Sequence, residues 1–295
     1  MNVAVVTDST AYLPPDLAAR HHVRVVPLHV VIAGTSYEEG RDITSADVAR
    51  ALRSYRPVST SRPSPSAFLE VYEDLARTGA DHIVSIHISG EMSATASSAE
   101  LAAADSPIPV TVVDSRSIGM AMGFAVLAAA EVAAGDADPG AVAQLARDQA
   151  AAASVGFYVD TLEYLRRGGR IGKAAALFGS ALAIKPLLTM RDGQIEPLER
   201  VRTRSRALAR MRERAVEAAL AMDADDGVDI AVHHLDSRER AEQLVEALAQ
   251  AVPHARRVLL VELGAVVGAH VGPGTLATAV SPRGKGRARI LGVSD

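Results

Sequence analysis

The chain of 295 residues contains no cysteine and no tryptophan, and aromatic residues make up only 3% of it. Without cysteine there is no disulfide, no thiolate nucleophile, and no zinc or iron–sulfur site built on sulfur. A cysteine-free chain suits a reducing compartment, so a cytoplasmic setting is expected. The scarcity of aromatics leaves little for nucleic-acid bases to stack on. An excess of positive charge is also missing: 31 Lys+Arg stand against 35 Asp+Glu, a formal net charge of −4, which argues against a polyanion partner. The longest apolar stretch, Ile118 to Ala130, is closed by Glu131. It falls short of the roughly 18 residues a bilayer span needs, so it predicts a buried helix and no stable membrane insertion. The opening MNVAVVTDST passes straight into strand-like sequence and lacks the basic, apolar and small-residue order of a signal peptide, so no export is expected.

What is present is an ordinary globular composition, 48% hydrophobic and 22% charged, long enough for two packed domains. Short β-branched runs (VAVVTD, VRVVPLHVVI, HIVSIHIS, VTVVDS) alternate with alanine-rich segments through the first half. That order predicts a parallel sheet flanked by helices. The turn-rich AGTSYEEGRD between Ile32 and Asp42 predicts a small excursion, and helices are expected to start at Thr44–Ser45 and Ser64–Pro65, where a capping oxygen or first-turn proline precedes an apolar period. GDADP at Gly135–Pro139 ends one helix and opens another over Pro139 to Ala153, which places a domain boundary near residue 154, giving lobes 1–153 and 154–295. The second half reads as FYVDTL, a Gly/Arg turn, an alanine helix, then a hairpin turning at Asp192-Gly193. A helix from Arg204 to Met222, a strand DIAVHHL, a helix from Arg238 to Ala251, and strands RRVLLVEL and RARILGV complete a smaller α+β lobe.

Four clusters of hydroxyl and glycine residues follow predicted strands: Thr7 to Thr10, Thr60 to Ser64, Ser89 to Ser98, and Asp114-Ser115. Capping a helix is the plain use of any one of them. Together they suggest a polar pocket at the strand ends, where open α/β sheets place ligands, with hydroxyls and helix N–H groups suited to a carboxylate or phosphate. In Leu165 to Lys173, LRRGGRIGK, glycines stand beside arginines; the spacing from Gly168 to Gly172 is one residue short of a Walker loop and Ala174 follows Lys173, so a turn positioning Arg170 is the reading preferred to a nucleotide loop. His270, in HVGPG, sits in a turn where an imidazole can bond an anion or simply be a satisfied surface group. His233 and His234 are strand neighbours facing opposite ways and cannot jointly hold a metal, and no HExxH spacing occurs. The arginines at 200, 202, 204, 206, 210, 212 and 214 read as a solvated helix face paired with Glu213 and Glu217, or else as a docking surface.

Taken in order, VTDSTAYLPPDLA, VVPLHVVI, TSRPS, SGEMSATASSA, VVDSRS with Gly119 and Gly123, LRRGGRIGKAAALFGSALAIKPLLTMRDGQI, RVRTRSRAL and AHVGPG resemble the bacterial DegV family from Val3 to Val280. The resemblance implies a Rossmann-like amino-terminal lobe and an α/β carboxy-terminal lobe that enclose an acyl chain. It implies a long-chain fatty-acid carrier, without catalysis or cofactor of its own, that presents its ligand to a separate ATP-dependent fatty acid kinase subunit, in the service of phospholipid metabolism. By position, Thr60, Ser61, Ser93 and His270 would hold the carboxylate, Arg170 would shape the region near the head group, and Arg202 would face the partner or phosphate. The chain departs from the family pattern at Ala94 and Ala96, where glycine and tyrosine are usual, and at Arg62, where glutamine is usual. A stand-alone phosphotransferase or hydrolase using Asp8, Ser9 and Arg170, and a nucleic-acid-binding regulator using the arginine run, are the rival readings.

Overall fold

The structure is a computed structural model in which residues 1–177, 185–222 and 226–283 are described. The chain opens with β1 (Val3–Asp8), α1 (Pro15–Arg20) and β2 (Arg24–Val26). The run VRVVPLHVVI is two strands rather than one, because β3 (His29–Ile32) begins only after Pro27-Leu28; proline lacks the N–H a ladder needs and fixes its own φ. β3 turns into β4 (Thr35–Glu38), the excursion expected after Ile32.

Capping chemistry then sets the helices. α2 (Ser45–Arg53) starts with a capping box in which Thr44 Oγ1 accepts from the Asp47 N–H and the Asp47 carboxylate accepts from the Thr44 N–H. After β5 (Val58–Ser61), α3 (Pro65–Arg77) starts behind Ser64, whose Oγ accepts from the Ala67 N–H. Next come β6 (His82–His87), α4 (Thr95–Ala104), β7 (Val110–Asp114), α5 (Met120–Ala133) and α6 (Pro139–Ala152). In α5 every residue except Glu131 is buried, the helix expected from the uncharged run. Among the described residues, no helix is long and apolar enough to cross a membrane.

The remaining elements are β8 (Ser154–Tyr158), α7 (Glu163–Arg167), β9 (Lys185–Arg191), β10 (Gln194–Val201), α8 (Arg204–Ala221), β11 (Val228–His234), α9 (Arg238–Ala251), β12 (Ala255–Glu262), α10 (Ala265–Val271) and β13 (Leu276–Pro282). The β9–β10 hairpin turns through Asp192 (φ 50°) and Gly193 (φ 82°), the left-handed pair a two-residue turn demands. The alanine segment forms 3-10 turns over Gly172–Leu177, and the rest of that expected helix, like the expected strand RARILGV, lies outside the described residues.

Residue contacts divide the chain into two units. One takes Met1–Leu28 with Arg62–Ala152; the other takes His29–Ser61 with Ala153–Arg283. The expected single cut after residue 153 is thus replaced by a discontinuous division, and the second unit, expected to be the smaller, holds more of the described chain. The first unit is a parallel sheet ordered β2-β1-β6-β7. Strand alternation feeds its two faces: Val6 and Ile83 pack with Phe68 and Tyr72 of α3, while Val5, Val84 and Ile86 pack with α5 and α6. These are the layers of a Rossmann-like fold.

Among the described residues, the second unit has a six-stranded sheet ordered β10-β9-β8-β13-β11-β12, in which only β11 and β12 run parallel, and a three-stranded antiparallel sheet β4-β3-β5. β13 was not expected from LATAVSP, which has neither a bulky run nor clear alternation; it is nonetheless a central strand, buried along almost its whole length. Its partner β11 is buried at all seven positions, His233 and His234 included.

Two measurements test this packing. Thr44→Ala removes the capping box, and chemical denaturation is expected to show a loss of about 1 kcal/mol. Burial, with His234 beside it, pushes the His233 imidazole down to about 4. The unfolded chain takes that proton near pH 6.5, so between the two values it binds more protons than the folded one. The contribution is therefore fully present above about pH 6.5 and lost as pH falls toward 4. Denaturation midpoints should fall across that window, and less steeply in His233→Gln.

Candidate ligand-binding site

Within the second unit, three short elements converge around one imidazole. α10 packs on α2, α7, β3 and β5. Its start is held by the buried Glu39 carboxylate, which accepts from the Val266 N–H at 2.7 Å. At its far end His270 reaches β5, where Nε2 lies 2.8 Å from Thr60 Oγ1. Thr60 and His270, far apart in the chain, are thereby brought together.

The approach depends on glycine. A Cβ on Gly168 would lie 2.0 Å from His270 Nδ1, one on Gly272 (φ 76°) 2.1 Å from the Tyr164 ring, and one on Gly274 (φ 88°) 2.3 Å from an Asp160 carboxylate oxygen. The turn after α7 and the HVGPG turn therefore interlock, each supplying a glycine where the other supplies a side chain. Tyr164 and Asp160 carry this arrangement and were not singled out from sequence; three glycines flanking Arg170 and His270 were the only signal. Asp160 is held in turn by the Tyr158 hydroxyl at 2.7 Å and Arg204 at 2.8 Å.

Burial, with Arg170 nearby adding to it, pushes the His270 imidazole down to about 4. The ring is neutral at physiological pH and has one N–H to give. Nδ1 is buried without a partner. In the tautomer with the proton on Nε2, the ring donates to Thr60 Oγ1 and leaves the hydroxyl proton for a ligand oxygen. Both residues line a cleft of about 530 Å³, together with Val31, Leu52, Val58 and Arg170, within the size range of small-molecule sites. A neutral hydroxyl–imidazole pair between aliphatic side chains on one side and the exposed arginines Arg56, Arg167 and Arg170 on the other suits a ligand with an acidic end and a hydrocarbon part.

The other expected residues fall elsewhere. Ser61 follows Thr60 on β5, so its side chain takes the opposite face of the pleat, exposed and outside the lining of the cleft. Arg170 is exposed at the cleft, and its Nη1 donates to the Gly168 carbonyl at 2.7 Å. Arg202 is exposed in a surface groove with Glu199, Arg206 and Arg210. Part of the arginine run is an ion-pair network: Arg210 and Arg214 both grip Glu199, Arg210 also meets Glu213, and Arg214 meets Glu217. The hydrogen bonds from Arg210 hold the Glu199 carboxyl down at about 2.

Ser93 belongs to the first unit. It lies in the turn after β6, with its N–H on the Ser89 carbonyl at 3.0 Å and its Oγ 2.8 Å from Thr95 Oγ1. β1 and β6 are neighbours whose onward connections run to opposite sides of the sheet, which makes the gap beyond them the switch point where such sheets take ligands. α4 opens there with Ala94, which offers no side-chain cap. Ala94 has φ −78°, so glycine's conformational freedom is not needed at that position. Asp8 and Ser9 are structural: Asp8 is fully buried and accepts from the N–H groups of Thr10 and Ile88, and Ser9 Oγ accepts from the Leu28 N–H.

Comparison with known proteins gives this geometry a context. The family profile described as uncharacterised protein, DegV family, matches residues 2–283. The chain belongs to the DegV family. A DegV domain-containing protein of Streptomyces coelicolor is 51% identical over 282 residues, covering 96% of this chain and 99% of that one. Among solved structures, a fatty-acid-binding DegV family protein from Thermus thermophilus is 37% identical with a TM-score of 0.87, covering 96% of this chain and all of that one. DegV of Bacillus subtilis, also described as a fatty acid binding protein, is 33% identical with a TM-score of 0.87 at the same coverage of this chain.

Gly168→Ala tests the interlock. The methyl group must displace His270, so the variant should be less stable by roughly 1–3 kcal/mol, and the His270 titration followed by NMR should move from about 4 toward the ordinary imidazole value of about 6.5.

Proposed function

We propose that this DegV-family chain binds a long-chain fatty acid and presents its carboxylate to a separate ATP-dependent kinase subunit, which forms the acyl phosphate in the cytoplasm. The observation that carries the reading is the neutral Thr60–His270 pair on the wall of a cleft lined by both aliphatic side chains and arginines. The fatty acid binding of the Thermus and Bacillus relatives supports it. Burying a methylene is worth about 0.8 kcal/mol, so a tail of about 15 contributes on the order of 12 kcal/mol before ordering costs. Each hydrogen bond to the charged head nets only about 1.5–3 kcal/mol. The tail thus supplies affinity, while Thr60 and His270 orient the head. Arg170, exposed beside the cleft, shapes the approach to the head group, and Arg202 faces the partner or its phosphate.

Organic extraction of purified protein followed by mass spectrometry identifies the ligand. Thr60→Val and His270→Ala are expected to lower bound fatty acid by about tenfold, since each loses an orienting hydrogen bond, and to slow acyl phosphate formation in a kinase-supplemented assay; Ser61→Ala, whose hydroxyl lies outside the cleft, should load as wild type. Wild-type loading and turnover in both Thr60→Val and His270→Ala would remove the pair from the site. Steady acyl phosphate formation by the isolated chain with ATP and fatty acid would instead favour the phosphotransferase reading.

A further inference from the structure

The second unit holds another group of polar atoms that fatty acid binding does not use. β11 ends at His234 and α9 begins just beyond it, behind Ser237. β11 and β12 form the only parallel pair in their sheet among the described residues, so this connection lies at the carboxyl end of parallel strands, the edge where α/β sheets gather ligands.

Ser237 occupies the N-cap of α9, where a serine hydroxyl normally accepts an N–H from the first turn. Here it forms no such bond, and its Oγ is buried without a partner in a residue only 7% exposed. His234 is 3% exposed, and neither Nδ1 nor Nε2 has a partner. Arg240, in the first turn, has Nη1 buried and unpaired, and its guanidinium meets no carboxylate among the described residues. A buried polar atom without a partner is costly, and native folds leave few of them. Here several fall within one short connection, and each of the three residues has at least one hydrogen to donate.

We propose that the connection from His234 to Arg240 is a binding site for a phosphate-class anion. Ser237 gives an O–H, His234 an N–H, Arg240 a guanidinium edge, and the first turn of a 14-residue helix adds backbone N–H groups that the helix leaves unbonded, with its dipole behind them. That is more donors than the two oxygens of a carboxylate engage, and it suits tetrahedral oxygens. The neighbouring charges are accounted for. Asp236 pairs with Arg53 and Glu242 with Arg238. Glu239 is exposed in the first turn, and Glu262, the strand neighbour of His234, is exposed at the end of β12. Arg240 is therefore the countercharge available to an anion. None of His234, Ser237 or Arg240 lines the cleft of Thr60 and His270, so the two sites stand or fall separately.

The test is calorimetric titration of the full chain with inorganic phosphate, with acetate as the carboxylate control. Ser237→Ala and Arg240→Gln should each weaken phosphate binding about tenfold or more, the scale of losing a charge-assisted hydrogen bond. Both should keep the wild-type fatty acid content, and Thr60→Val should keep phosphate binding. In phosphate-free buffer Arg240→Gln should be no less stable than wild type, because no existing bond is lost. The proposal is overturned if the wild type takes up no phosphate at millimolar concentrations, if both variants bind it as tightly as wild type, or if acetate binds as well as phosphate.

Discussion

The second unit is organised by the closeness with which backbone meets side chain where His270 lies against Gly168. At 2.0 Å from the position of a Cβ, no other residue fits without moving the ring. The same constraint recurs at Gly272 against Tyr164 and at Gly274 against Asp160. These contacts fix the imaginary line along which Nε2 points, and Thr60 on β5 lies at its end. Because the ring is buried by the same contacts, it stays neutral. One steric requirement thus sets both the geometry and the charge state of the candidate site. A neutral buried donor is suited to orienting an acid head group without the desolvation cost that a buried cation carries.

The first unit contains a buried polar chain with the order of a hydrolytic triad. Asp8 lies 3.1 Å from His87 Nδ1, and His87 Nε2 lies 2.7 Å from Ser85 Oγ. Chemistry at that serine is precluded by its surroundings: Asp8, Ser85 and His87 are wholly buried, and the Ser85 oxygen also accepts from the Tyr72 hydroxyl at 2.9 Å. Burial pushes that phenol up to about 12, so it remains a donor. The chain instead ties β1 to β6 and to α3, and the Asp8 carboxylate fixes the Ile88 N–H at the head of the turn that carries Ser93. Its role is to hold the switch point of the sheet in shape.

Much of the architecture was legible in the sequence. Thr44 and Ser64 mark helix starts because a hydroxyl can cap orphan N–H groups wherever the chain allows it, which is a local effect. Asp192-Gly193 marks a turn for an equally local reason. The uncharged run after Ile118 had to be buried. β13 was not legible, since Ala277, Thr278 and Ala279 acquire strand structure from pairing on both sides with β8 and β11 rather than from any propensity of their own. The division at Pro27 was visible as a proline, but the transfer of His29–Ser61 to the other unit was not, because it depends on which sheet and helices that segment packs against. The ion pairs of Arg210 and Arg214 with Glu213 and Glu217 follow from helical spacing; Glu199, at the centre of the network, comes from a different element.

By itself the sequence determined the alternation of strands and helices, their caps and turns, the family, and the residue types available for chemistry, since all of these are written in short-range pattern and ordered motifs. Only the tertiary structure decided that Thr60 rather than Ser61 meets His270, that Gly168 makes room for the ring, and that Ser237, His234 and Arg240 are left with unpaired buried donors. Those outcomes depend on which strand face is turned inward and which distant backbone passes within van der Waals reach, and local sequence carries neither.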